Sequence, residues 1–288
     1  MPELAKLDVG HVQESLADCW YRASEYRKAL DAYTAAQALV AGHRLLEADV
    51  LLKLSRVEEK LGQYPEALRW VERAREALEG QQGPDAARQA AQASAWYATV
   101  LQAQGRSAEA LQWAEQAARE AEAVDDAETL GNAYFVQGWA HGVLGKEGAE
   151  ALMLKSLEAY RKSGNRVRQA SILSNLGAAC YFEGRWDDAM AYYERGREES
   201  LRVGNLVHAA AARLNVAEIL TDRGELAEAE SLLQQTLPLW KSSEYRYFLG
   251  ACHWMLGRVS LRGNRIDEAL ARFDEARKLL LEVGAEHE

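Results

Sequence analysis

The stretch SNLGAACYFEGRWDDAMAYYERG, Ser174–Gly196, sets very small residues against very large ones. Gly177 follows Leu176, Gly184 comes seven residues later, Ala189 five after that, and Tyr193 and Gly196 close the series. No single amphipathic helix needs these offsets. They fit two helices broken at Gly184, because glycine takes the left-handed conformation that closes a helix and turns the chain. Small residues at Gly177, Ala189 and Gly196 then let an antiparallel pair approach closely. Leu176, Trp186 and Tyr193 fill the space toward the next pair.

The pattern recurs along the chain. With Ala189 as anchor, the series is Ala29, Ala67, Ala110, Ala149, Ala189, Ala229 and Ala269, at intervals of 38, 43, 39, 40, 40 and 40 residues. Seven repeats fill residues 1–288, which predicts a single domain. The longest interval contains EGQQGPDA, Glu79–Ala86, where Gly80, Gly83 and Pro84 mark a lengthened loop. The repeat around Ala149 is the least regular, with Gly145 one residue closer to its anchor than its counterparts. First helices carry Leu176-Gly177, Leu256-Gly257 or a stand-in such as Leu54-Ser55, Tyr97-Ala98 or Val216-Ala217. They are expected to end at Ser24, Gly62, Gly105, Gly145, Gly184, Gly224 and Gly263-Asn264. Second helices place a large residue four after the anchor, as at Tyr33, Val71, Leu233 and Phe273. Helix pairs of this kind stack in one direction, so the expected fold is all-α, a right-handed superhelical solenoid of seven pairs.

Composition agrees with an all-helical chain. The 288 residues are 48% hydrophobic and 27% charged, with four prolines and three isoleucines (Ile172, Ile219, Ile266). Strong helix formers dominate. A net charge of -10 argues against a nucleic-acid-binding surface. No apolar run approaches a membrane span, and MPELAKLDVGHVQ lacks the apolar core of a secretory leader. Cys19, Cys180 and Cys252 lie far apart without metal-ligand spacing, which reads as reduced thiols in the cytoplasm.

The residues carry a resemblance. ILSNLGAACYFEGRWDDAMAYYERG, QYPEALRWVERA and RIDEALARFDEA resemble the tetratricopeptide repeat, whose signature is Trp-x2-Leu-Gly-x2-Tyr, then Ala-x3-Phe, then Pro. Leu173 and Cys180 replace the signature Trp and Tyr, and most repeats lack the closing Pro. Repeats near 40 residues are similar to the MalT-like repeat regions attached to bacterial signalling ATPases. CWYRASEYRKALDAYTAAQALV is most similar to C-terminal repeat regions of actinobacterial adenylate/guanylate cyclase-like proteins.

No catalytic constellation stands out. The histidines at 11, 43, 141, 208, 253 and 287 lack the i, i+4 partner of a helical metal site, so neither a metal nor a cofactor is expected. Cys252 and His253 are neighbours and point about 100° apart on a helix, which favours a buried thiol beside a packed imidazole over a catalytic pair. GNAYFVQGWAHG, Gly131–Gly142, reads as a first helix and not as a phosphate loop. Among the tryptophans, Trp70, Trp186 and Trp240 are expected to pack between repeats, whereas Trp20 and Trp113 fit either packing or exposure.

The resemblance implies that first helices line a concave, ligand-facing groove. Carrying the family's contact positions across gives Lys53, Arg56, Trp96, Thr99, Phe135 and Trp139. Further along it gives Ser174, Asn175, Ala178, Tyr181, Leu214, Asn215, Glu218, Trp254 and Arg258. Asn175 and Asn215 occupy the position of the family's peptide-backbone clamp, where an amide offers a donor and an acceptor. Each could equally bond a neighbouring helix. The implied function is a non-catalytic scaffold binding a peptide or partner protein in bacterial signalling. An effector-sensing module of a larger regulator and an oligomerisation element, including a homo-oligomer, remain open.

Overall fold

The computed structural model describes residues 3–242 and 245–285, and every secondary-structure element among them is an α-helix. His287 lies outside the described residues. The helices alternate as first and second members of seven pairs. The pairs are α1 (Glu3–Arg22) with α2 (Tyr26–Val40), α3 (Arg44–Lys60) with α4 (Tyr64–Leu78), α5 (Pro84–Ala103) with α6 (Ser107–Ala123), and α7 (Ala127–Val143) with α8 (Ala149–Lys162). They continue with α9 (Arg166–Phe182) and α10 (Trp186–Arg202), α11 (Leu206–Arg223) and α12 (Leu226–Ser242), and α13 (Arg246–Arg262) and α14 (Ile266–Ala285). None of the described helices is long and apolar enough to cross a membrane.

The turns fall where the sequence places them. Ser24, Gly62, Gly105, Gly145, Gly184 and Gly224 all have positive φ, between 61° and 83°. In the last repeat the left-handed residue is Asn264, at φ 58°, and Gly263 stays at φ -80°. Asparagine tolerates that conformation, so the preceding glycine is not needed for the turn. Asp126, Asn165 and Asn205 cap α7, α9 and α11 by accepting from the backbone N–H three residues on. The insertion before α5 is shared between a loop at 79–83 and a helix 20 residues long. Repeat four departs because α8 begins at its anchor, Ala149, whereas other second helices begin three residues before theirs. The missing turn leaves Ala149 half-buried, while Ala29, Ala67, Ala110, Ala189 and Ala229 are fully buried.

Internal contacts gather the helices into two compact units, α1–α8 up to Ser163 and α9–α14 from Gly164. Within each, a helix packs on its partner and on the next pair, and first helices also touch, as in α3 with α5, α5 with α7, and α11 with α13. The first unit has a continuous core through Val40, Leu51, Leu54, Val71 and Leu101. In the second, Trp240 is buried and stacks on Phe248 at 4.8 Å, and Trp186 packs against Val216 and Ile219. Trp70 is half-buried against the first unit's core, and Trp113 lies between Tyr97 and Arg75.

The intra-pair contact explains the large-small alternation. A Cβ added at Gly177 would lie 2.7 Å from the Tyr193 ring, and one at Gly257 would lie 2.6 Å from Phe273. Gly196 answers from the other helix, with a Cβ 3.3 Å from both Leu173 and the Ala170 carbonyl oxygen. Alanine inside a helix normally gains about 0.5–1 kcal/mol over glycine. Here Gly177→Ala should instead lower unfolding stability by about 1–3 kcal/mol through overpacking. Tyr193→Leu in that background should recover part of the loss. A urea-unfolding series in which Gly177→Ala matches or exceeds the parent would remove close approach as the reason for this glycine.

Candidate functional site

First helices within each unit are tied to one another by polar side chains on a shared face. In the second unit the centre of this network is Asp222 on α11. It accepts from the Tyr181 hydroxyl at 2.8 Å, from Arg258 at 2.8 Å and from Arg262 at 3.3 Å. Arg258 also donates to Glu218 at 2.9 Å, and its guanidinium lies 5.0 Å from the centre of the Trp254 ring. Arg262 reaches the Thr221 and Asp222 carbonyl oxygens at 2.7 and 3.1 Å. Helices α9, α11 and α13 are thereby held together by one half-buried cluster, whose charge-assisted bonds are stronger than neutral ones.

The network leaves selected groups free. Asn175 and Asn215 are half-buried, and neither side-chain amide has a partner among the described residues. Trp254 is 44% exposed although Arg258 covers one face of its ring. Phe182, next to Tyr181 and in edge contact with it, is exposed. Burial pushes the Tyr181 hydroxyl well above its ordinary range, and its bond to Asp222 adds to the shift, so it remains a donor. Tyr181, Glu218 and Arg258 therefore brace the face, whereas Asn175, Asn215 and Trp254 present unused polar and apolar groups on it.

In the first unit the expected residues divide differently. Lys53 is ion-paired with Glu14, with Asp49 at 3.3 Å and with Asp18 at 3.5 Å. Burial pulls its ammonium down, but the Glu14 bond and the Asp49 and Asp18 carboxylates outweigh this and hold it above its usual value. Trp96 is buried and donates to Ser55 Oγ at 2.9 Å, with Arg56 stacked 5.4 Å from its ring centre. It joins α5 to α3 as a core side chain and offers no open ring to a ligand. Asn132, which the repeat pattern does not single out, donates to Thr99 at 3.1 Å and joins α7 to α5. Phe135 is half-buried against the core, and Trp139, 6.4 Å away between centroids, is 41% exposed.

Sequence reasoning missed Asp222 and Arg262. The available signal was spacing: Glu218 and Asp222 are four apart on one helix, as are Arg258 and Arg262. Cys252 and His253 are both buried, and their environments oppose a thiolate–imidazolium pair. Burial raises the thiol, which contacts the Leu233 carbonyl oxygen at 3.6 Å, and burial together with Arg272 lowers the imidazole.

Tyr193, packed on Gly177, has a pH-dependent consequence. Burial pushes its hydroxyl up to about 12, with Glu218 and Cys180 adding to the rise. In the unfolded chain the proton leaves near pH 10. This share of stability is complete below about pH 10 and is lost as pH rises toward 12. Unfolding free energy measured from pH 8 to 12 should therefore fall less steeply at the alkaline end in Tyr193→Phe. An identical slope in both proteins would contradict the assignment.

A tetratricopeptide-repeat model matches residues 144–198 and 208–282, and a second model of the same repeat matches 91–116. No curated protein sequence matches significantly. Among solved structures, the chain is similar to aspartyl phosphate phosphatase F from Bacillus subtilis, at 15% identity and a TM-score of 0.70, covering 97% of this chain and 72% of that one. It is similar to a signal-transduction ATPase with numerous domains that carries a tetratricopeptide-repeat sensor, from Pyrococcus horikoshii. There the identity is 17% and the TM-score 0.74, over 97% of this chain and 44% of that one. The Rap conjugation gene regulator of the plasmid pLS20, in complex with the Phr* peptide, aligns at 16% identity and a TM-score of 0.60, over 91% of this chain and 76% of that one. These likenesses concern the fold, and the repeat models together with the seven helix pairs place the chain in the tetratricopeptide-repeat family.

Proposed function

We propose that this chain is a non-catalytic recognition module whose second unit binds an extended peptide, or an extended segment of a partner protein. The ligand lies across α9, α11 and α13. The observation that carries the reading is the pair of half-buried, unpartnered amides at Asn175 and Asn215, one repeat apart. An extended backbone presents alternating N–H and C=O groups, and each amide can satisfy one of either kind. Trp254 supplies the adjacent apolar anchor. The braced cluster around Asp222 keeps the three helices in register, so less ordering accompanies binding.

Several observations support the wider reading. One similar structure holds a bound peptide on the same fold, and another belongs to a signalling ATPase with a repeat sensor. The proposal extends to a role in bacterial, cytoplasmic signalling, in the MalT-like and cyclase-like assemblies that the sequence resembles. One similar structure is named a phosphatase, a name that belongs to that protein at 15% identity.

Peptides selected from a random library on the immobilised protein provide the ligand for a test. Asn175→Ala and Asn215→Ala should each weaken the selected peptide by about 1–3 kcal/mol, the cost of an unpaired buried polar group. Melting temperature should barely change, because both amides are unpaired in the free protein. Trp254→Ala should lose affinity without altering tolerance to N-methylation of the peptide backbone. Asparagine variants that melt early yet bind normally once stability is corrected would overturn the clamp.

A further inference from the structure

Helices α1 and α14 expose apolar side chains at positions that are buried or half-buried in the comparable helices. On α1 the small residue matching Gly257 is Ala17, which is fully buried against α2. Five residues before that small position stand Val50 in α3, Ala93 in α5, Ala212 in α11 and Cys252 in α13, all buried. The α1 equivalent, Val12, is 67% exposed. Two residues after the small position stand Val57, Val100, Ile219 and Val259, all fully buried, whereas the α1 equivalent, Cys19, is exposed. Leu16 repeats the pattern at 44% exposure, against fully buried Leu54. Val9, Val12, Leu16 and Cys19 follow a 3-4-3 spacing, which gathers them on one face of α1. In α13 the corresponding face packs on the preceding second helix, where Cys252 reaches the Leu233 carbonyl oxygen and Thr236 of α12.

The far end supplies the counterpart. The residue after the anchor is Leu30, Leu68, Leu111 and Met190 in α2, α4, α6 and α10, and Glu150 and Glu230 in α8 and α12. Leu68 and Leu111 are buried, and Leu30 and Met190 are half-buried against hydrophobic clusters that include the next first helix. The α14 equivalent, Leu270, is 58% exposed, and Ile266 and Leu281 are also exposed. Both end helices are 20 residues long, so the two faces match in length. One end of the chain thus displays a first-helix face and the other a second-helix face, the two halves of the joint that links repeats internally.

We infer that the occupant of these faces is a second copy of this chain, docked head to tail, with α1 of one molecule on α14 of another. These faces continue the repeat-to-repeat interface, which buries such surface by stacking one repeat on another. The contact is heterologous: each molecule uses one surface to give and a different one to receive.

Sedimentation velocity over a concentration series tests this on the full chain. The parent should associate progressively beyond dimer. Val12→Glu and Leu270→Glu, both at exposed positions, should each weaken association about tenfold or more. Mixed together, the two variants should form a 1:1 dimer, because each retains the face the other lacks. Cys19 gives a second readout: it is the one exposed cysteine of three, so its alkylation should slow as the parent is concentrated and recover in Val12→Glu. A parent that remains monomeric throughout overturns the inference and assigns the faces to a different protein or to further repeats of a longer polypeptide. Val12→Glu monomers alongside Leu270→Glu dimers would overturn it too, showing a symmetric α1–α1 contact. Variants that fail to complement on mixing exclude the head-to-tail joint.

Discussion

Each helix pair has two sides that need covering, and pairing hides only the surface between its own helices. This constraint organises the molecule. The inner contact is made tight by removing Cβ atoms where a ring must sit, at Gly177 beneath Tyr193 and at Gly257 beneath Phe273. The outer contact is left to residues such as Leu68, Leu111 and Cys252, which find cover only on a neighbouring repeat. Stability is accordingly a sum of pair and neighbour terms, without one central core. The same constraint explains why exposed Val12 and Leu270 carry meaning, whereas a scattered exposed leucine elsewhere would not.

On the face shared by the first helices a second kind of contact takes over. The cluster of Tyr181, Glu218, Asp222, Arg258 and Arg262 crosses three helices with charge-assisted hydrogen bonds. Lys53 with Glu14, Asp18 and Asp49 does similar work between α1 and α3. Removing one member would leave partly buried opposite charges uncompensated, so such clusters fix geometry more than they add stability. The proposed peptide site would gain from that stiffness, because a backbone clamp must hold its spacing.

Much of the fold was legible because its signals are local and periodic. The anchor alanines, the left-handed closures at Gly62, Gly105, Gly145, Gly184 and Gly224, and the large-small alternation each follow from rules acting within a few residues. Departures also had local causes. Asn264 takes the turn in place of Gly263, and α8 loses its first turn where the spacing from Gly145 is short. The site was legible in part. Position alone predicts that Asn175, Asn215, Trp254 and Arg258 lie on the first helices, but position does not report partners that lie a full repeat away.

The sequence by itself determined the helix pairs, their number and their turns, since these depend on spacing along the chain. Tertiary structure decided which candidates have partners within the fold. Lys53 is taken up by three carboxylates and Trp96 by Ser55 and the core, while the Asn175 and Asn215 amides stay unpaired. It also brought Asp222 to the centre of its cluster, through contacts to Tyr181 and Arg258 that are 41 and 36 residues distant in sequence. The physical reason is that a side chain's freedom is set by neighbours in adjacent repeats, and a 40-residue period hides those neighbours from any local reading.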